Sequence, residues 1–256
     1  MSPFKALRVL ILLFILLLVS GGIYLDRERT TDWNDPLWVV VFPINGDGSD
    51  ISAKFIAKLD EKRFKPVERF FEREAEKYGL AIEKPVKFFL APEIKNMPPQ
   101  PPMDKSVLAT IWWSLKMRYW IFTNNNYDKH ADIKIFLKYY NKQDNKIVPD
   151  SLGIQNGLYA VVNGYSSKDM NAKNNVVLAH ELLHTVGATD KYDMGTNLPI
   201  YPFGYAEPDR NPVFPQRYAE IMAGRTPINQ NKAQMPRGLK TVVVGELTAR
   251  EIRWVK

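Results

Sequence analysis

The sequence predicts an α+β domain carried behind an N-terminal apolar helix. Three observations point there: an uncharged run close to the N-terminus, short apolar runs interleaved with amphipathic stretches up to Gly187, and a tail rich in proline and glycine beyond it. At 256 residues and 45 % apolar content the chain is long enough to build one substantial core.

Residues 9–25 (VLILLFILLLVSGGIYL) carry no charge over 17 positions, and Lys5 and Arg8 stand just before them. This is a membrane-directed segment, at the short end of what spans a bilayer. Ile23, Tyr24 and Leu25 extend the apolar run past the glycines and add an interfacial aromatic, which favours an uncleaved signal-anchor. Ser20, Gly21 and Gly22 also fit the small residues ahead of a signal-peptidase cut, which would give a secreted domain. Either way, the positive charges keep the N-terminus cytoplasmic and send the body across the membrane. Residues 1–25 are therefore assigned to the membrane helix, the polar stretch 26–36 (DRERTTDWNDP) to a linker, and 37–256 to the domain.

The chain has no cysteine, which excludes disulfides, thiolate metal sites and a cysteine nucleophile; any metal must be held by His, Asp, Glu or Tyr. The net charge is +7, and Lys5 and Arg8 contribute two of those charges. The remaining balance reads as a solvated basic surface, and an exported chain argues against nucleic acid as a partner.

Within the domain, residues 37–42 (LWVVVF) form a β-branched and aromatic run, read as a buried strand, followed by the turn Asn45-Gly46-Asp47-Gly48. Residues 66–78 repeat apolar Val67, Phe70, Phe71 and Ala75 at helical spacing against a charged face, with Gly79 as a stop. Residues 86–90 are a second strand, and 97–103 (MPPQPPM) an extended surface connection, since proline lacks an amide donor. Residues 106–120 read as a helix crowded with Trp112, Trp113, Tyr119 and Trp120; a buried core helix accounts for that pattern, with membrane-interface docking as the rival. Residues 133–139 and 158–162 are two further strands, and 247–255 a closing helix.

The chemistry lies in one contiguous string. Asn174 or Asn175 is a candidate cap for a helix running toward Gly187, in which Leu178, Leu182 and Val186 recur every four residues and face the core. His180 and His184 then stack one turn apart, a spacing that lets both imidazoles reach one metal ion at about 2.0–2.1 Å. Glu181 lies about 100° round the helix, close enough to a metal-activated water to serve as its general base. Gly187 can end the helix in a left-handed conformation and turn the chain so that Asp190 reaches the metal as third ligand, leaving a fourth position open.

The string HELLHTVGATD (residues 180–190) resembles the long zinc motif of the metzincin metallopeptidases, and Tyr192 extends the likeness to the aspartate-bearing snapalysin branch. Downstream, residues 219–224 (AEIMAG) resemble the metzincin Met-turn. The resemblance implies one catalytic Zn²⁺ held by His180, His184 and Asp190, with Glu181 catalytic and Met222 a structural support beneath the ligands. It implies a mixed twisted sheet with helices in an upper lobe, 37–187, over an irregular lower lobe, 188–256. The implied activity is hydrolysis of peptide bonds in a peptide or protein substrate. Two rivals stand beside it: a zinc-containing envelope binding module that does not cleave, and a gluzincin-type peptidase drawing its third ligand from Glu207 or Glu220. His130 reads as a surface loop residue. A substrate strand is expected along residues 158–162, and selectivity from the 191–221 loop through Tyr201, Pro202, Phe203 and Tyr205.

Overall fold

A computed structural model describes residues 3–102 and 106–255; the side chains at 3, 15, 16, 18–20, 23, 26 and 156 lie outside that description. The chain begins with α1 (Pro3–Thr31), then β1 (Leu37–Asn45), α2 (Asp50–Ile56), α3 (Lys65–Lys77) and β2 (Val86–Leu90). It continues through α4 (Val107–Asn124), β3 (Ile133–Tyr140), β4 (Leu152–Ile154), β5 (Tyr159–Tyr165) and α5 (Asn171–Thr185). Short strands β6 (Ala219–Glu220), β7 (Thr226–Asn229), β8 (Lys232–Gln234) and β9 (Val242–Val243) precede α6 (Glu246–Glu251).

Among the described residues no helix is long and apolar enough to cross a membrane. The expected anchor falls partly on side chains outside the description, among them Ser20 and Ile23, as Met103 does for the proline-rich connection. Residues 26–31, expected in a linker, are the last turns of α1, and Thr30 and Thr31 are buried. Trp33 follows in the core, its indole donating to the Ile252 carbonyl at 2.7 Å and its ring edge-on to Trp254.

The domain is a mixed α/β fold around a five-stranded, mostly parallel sheet in the order β2-β1-β3-β5-β4, with only β4 antiparallel to its neighbour. Parallel pairing explains the continuous apolar run of β1, which is covered on both faces, so alternation is lost there. Phe70 and Phe71 of α3 and Leu178 and Leu182 of α5 pack with Val39, Val41, Ile135 and Leu137 on one face. Trp113, Met117 and Trp120 of α4 pack with Val40, Phe42 and Phe136 on the other.

Buried polar groups tie these layers. Glu68 on α3 accepts the Phe88 amide of β2, and Glu74 accepts the Val244 amide ahead of α6. Asn174, expected as a helix cap, is instead three residues inside α5; its amide exchanges two hydrogen bonds with the backbone of Tyr165 and fixes the helix to the end of β5. Asn175 donates to the Arg63 carbonyl. The α4 expectation is corrected by half: Trp113 and Trp120 are core residues, whereas Trp112 and Tyr119 face outward at 61 % and 70 % exposure.

Candidate metal centre

α5 carries His180, Glu181 and His184 across the sheet, with Leu178 and Leu182 in the core beneath. The helix ends at Val186, and Gly187 follows at φ +105°, a left-handed turn that an L side chain would strain. A Cβ there would also stand 2.6 Å from the Gln155 amide. The reversed chain then bonds Ala188 N–H to the Leu183 carbonyl and brings Asp190 back under the histidines.

The Nε2 atoms of His180 and His184 are 3.1 Å apart, and each lies 3.2 Å from the same Asp190 oxygen, Oδ1. The other ring nitrogens are taken: His180 Nδ1 faces the Ile221 carbonyl at 2.9 Å, and His184 Nδ1 the Ala188 carbonyl at 2.8 Å. A carbonyl only accepts, so both Nδ1 atoms carry the proton, and in the neutral rings both Nε2 atoms present lone pairs. With both rings neutral, three lone-pair atoms thus converge with no donor among them, and buried Asp190 Oδ1 then has no hydrogen-bond partner. Such a cluster calls for a cation, and two imidazoles with one carboxylate suit a divalent ion of the zinc class. Among the described residues these three form the group whose ligand atoms lie within 4.8 Å of one another.

Electrostatics follow from this crowding. Burial pulls His180 toward neutrality, but the Asp190 hydrogen bond and the charge of Glu181 outweigh it, so its pKa is raised. Burial works against ionised Asp190 too, yet the two histidines beside it, which donate to it whenever their Nε2 is protonated, hold its carboxyl far below the usual carboxylate range. Burial raises Glu181 above its ordinary value, with the histidines opposing. A cation held at the three ligands would displace the extra proton from His180.

Met222 is completely buried, and its segment grips the site twice. The preceding residue supplies the Ile221 carbonyl that orients His180, and the Met222 carbonyl accepts the amide of Lys191, next to Asp190. The turn is fixed by Glu220, whose carboxylate accepts the Ala223 and Gly245 amides and the Thr248 hydroxyl. Glu220 is therefore fully used in structure, and Glu207 pairs with Arg217; neither joins the three ligand atoms. His130 sits at the surface between Asp132 and Arg29, and Asp193 closes its own turn onto Gly195 and Thr196.

A cleft of about 800 Å³ opens over the group, lined by Lys146–Gly153, one face of α5, Tyr192, Met194, Asn197, Ala223–Arg225 and Met235. Tyr201, Pro202, Phe203 and Tyr205 do not line it, and Tyr201 and Phe203 are exposed; the 146–153 segment lines it instead. The strand expectation shifts as well: β5 is paired on both sides, by β3 and β4, and has no free edge. The free edge on this side of the sheet belongs to β4, which the sequence reading missed. Its Gly153 lies so close to α5 that a Cβ would sit 2.5 Å from the Glu181 carbonyl oxygen and 2.6 Å from His184 Cβ. The only sequence signal was a glycine inside the short apolar run Leu152-Gly153-Ile154.

The spacing His180, His184 and Asp190 is that of an HExxH…D metal site. No protein-family model matches the chain, and no curated protein matches its sequence.

Proposed function

We propose that the chain is a zinc metallopeptidase of the metzincin type, cleaving peptide bonds within a protein or peptide laid along the cleft. The observation that carries this reading is the convergence of three proton-free acceptor atoms beside a carboxylate, Glu181, that is not needed to hold the ion. When bound, Zn²⁺ supplies Lewis acidity, polarising a carbonyl and making water acidic near neutral pH. His180, His184 and Asp190 hold it, and the carbonyls of Ile221 and Ala188 fix the two imidazoles in the orientation that presents Nε2. Glu181, 6 % exposed and with its pKa raised by burial, takes a proton from the attacking water and returns it to the departing amine. The β4 edge, facing the cleft, offers unpaired backbone groups to an extended substrate.

For location, the proposal keeps the signal-anchor: Lys5 and Arg8 precede an uncharged run, and the described apolar side chains of α1, such as Leu10, Leu12 and Leu17, are exposed. The peptidase domain then faces the extracytoplasmic side.

The test is metal analysis of the purified full chain with a peptide-library digest, beside Glu181→Gln. The variant should keep stoichiometric zinc and lose cleavage by about 10²–10⁴-fold. Equal cleavage by both proteins removes Glu181 from the reaction; absence of zinc in both removes the reading altogether.

A further inference from the structure

Among the described residues, α4 is the one helix over the sheet that shows solvent a mainly apolar face. Leu108, Ile111, Trp112, Leu115, Tyr119 and Phe122 are all more than half exposed, Phe122 at 82 %. Their spacing of three and four residues puts them on one stripe, opposite the buried Trp113, Met117 and Trp120. A patch of this size exposed on a folded domain marks something that covers it.

The chemistry of the stripe narrows the occupant. α4 contains no acidic residue, while Lys116 and Arg118 flank the aromatics, and the Lys116 ammonium lies 5.5 Å from the Trp112 ring centre. Large apolar side chains with Trp, Tyr and basic groups suit the boundary between acyl chains and anionic headgroups.

Position supplies the second argument. α1 does not end in a free tether: Arg29 pairs with buried Asp132 at 2.8 Å, Glu28 pairs with Arg253, and Trp33 is locked in the core. Asp132 closes the segment that leaves α4 for β3, and α1 also packs against the turn at Gln155–Gly157. Tyr159, just past that turn, feels the charge of Arg118 on α4. The apolar N-terminal helix and the apolar face of α4 are thus fixed to the same corner of the domain.

We infer that the outer face of α4 docks in the plane of an anionic lipid bilayer, the membrane that α1 enters, and so holds the cleft at a set distance from the surface. This rests on the anchor proposed above, and the experiment separates the two. Because the chain lacks cysteine, Phe122→Cys provides a unique thiol for an environment-sensitive fluorophore, and Glu76→Cys, exposed on α3 across the sheet, provides the control. Each labelled full chain is reconstituted in phosphatidylcholine/phosphatidylglycerol vesicles carrying nitroxide lipids and recovered by flotation. The probe at position 122 should shift to the blue and lose emission most to shallow nitroxides, since an interfacial helix buries its apolar face about 5–10 Å deep; the probe at position 76 should do neither. Floating chains with position 122 unquenched overturn the docking face and leave the anchor standing. Chains that do not float overturn both. A blue shift that grows with protein concentration but ignores the nitroxides assigns the face to a second copy and also overturns the inference.

Discussion

Replacing Gly153 with alanine tests whether β4 is the strand that positions α5 and its Glu181. The added Cβ would meet the Glu181 carbonyl oxygen at 2.5 Å and His184 Cβ at 2.6 Å. Both neighbours are backbone or the root of a side chain, so neither can swing aside. Carbon atoms in contact rest about 3.5–4.0 Å apart, so β4 must retreat by roughly 1 Å. Overpacking of this kind costs about 1–3 kcal/mol, and in a domain of this size each kcal/mol lowers Tm by roughly 2–4 °C. Activity should fall further than stability, because Gly153 lies against Glu181 and moves with the strand. A displacement of about 1 Å at such a group costs on the order of 10²-fold in rate. Thermal melts, zinc titration and kcat/KM on one peptide, measured on Gly153→Ala and the native chain, give all three quantities. An unchanged Tm together with unchanged kcat/KM would refute the close packing of β4 on α5 and, with it, the role given to that edge.

Other perturbations separate the support from the ligands. Met222→Leu preserves volume and should cost less than about 1.5 kcal/mol with zinc retained, whereas Met222→Ala should cost about 2–5 kcal/mol and weaken zinc binding as the Ile221 carbonyl loosens; equilibrium dialysis with a chelator series reads the difference. Glu220→Leu orphans the Ala223 and Gly245 amides and the Thr248 hydroxyl, at about 1–3 kcal/mol for each buried group, and denaturant melts should show it even in metal-free protein. In that metal-free state the raised pKa of His180 stabilises the fold below its ordinary value of about 6.5, a contribution lost as pH rises through the raised value. The lowered pKa of Asp190 stabilises above about 3.9 and is lost as pH falls through the lowered value. Melts after chelation should therefore peak at mildly acid pH and decline on the alkaline side, where the zinc-loaded protein gains most; a metal-free Tm that climbs steadily into alkaline pH would contradict this.

The ligand string was legible because helix geometry is local. Spacings of three, four and six residues, with one glycine to reverse the chain, decide where His180, His184 and Asp190 fall, and the structure brings their atoms within 3.2 Å. Strands β1, β2 and β5 were legible from short apolar and aromatic runs, and β3 from its alternation. β4 was not, since three residues carry no period and acquire strand geometry only by pairing with β5. α2 was missed although Ser49 caps it, because seven residues gave too short a repeat beside the turn at Asn45–Gly48. The faces of α4 were misjudged for a related reason: its aromatics lie on all sides, and composition does not say which side meets the sheet. Asn174 and Asn175 read as caps by residue type, but partners on Tyr165 and Arg63 drew them inside the helix.

The orientation of the ligands is less local than their order. His180 takes its ring setting from a carbonyl 41 positions later in the chain, and the segment bearing Asp190 is stitched to the next residue along. A nascent polypeptide that has emerged only as far as the reversal at Gly187 already owns both imidazoles, yet nothing holds them at the correct angle. Competence for the ion is thereby deferred until the segment at Ile221 and Met222 has been made and has folded against the helix.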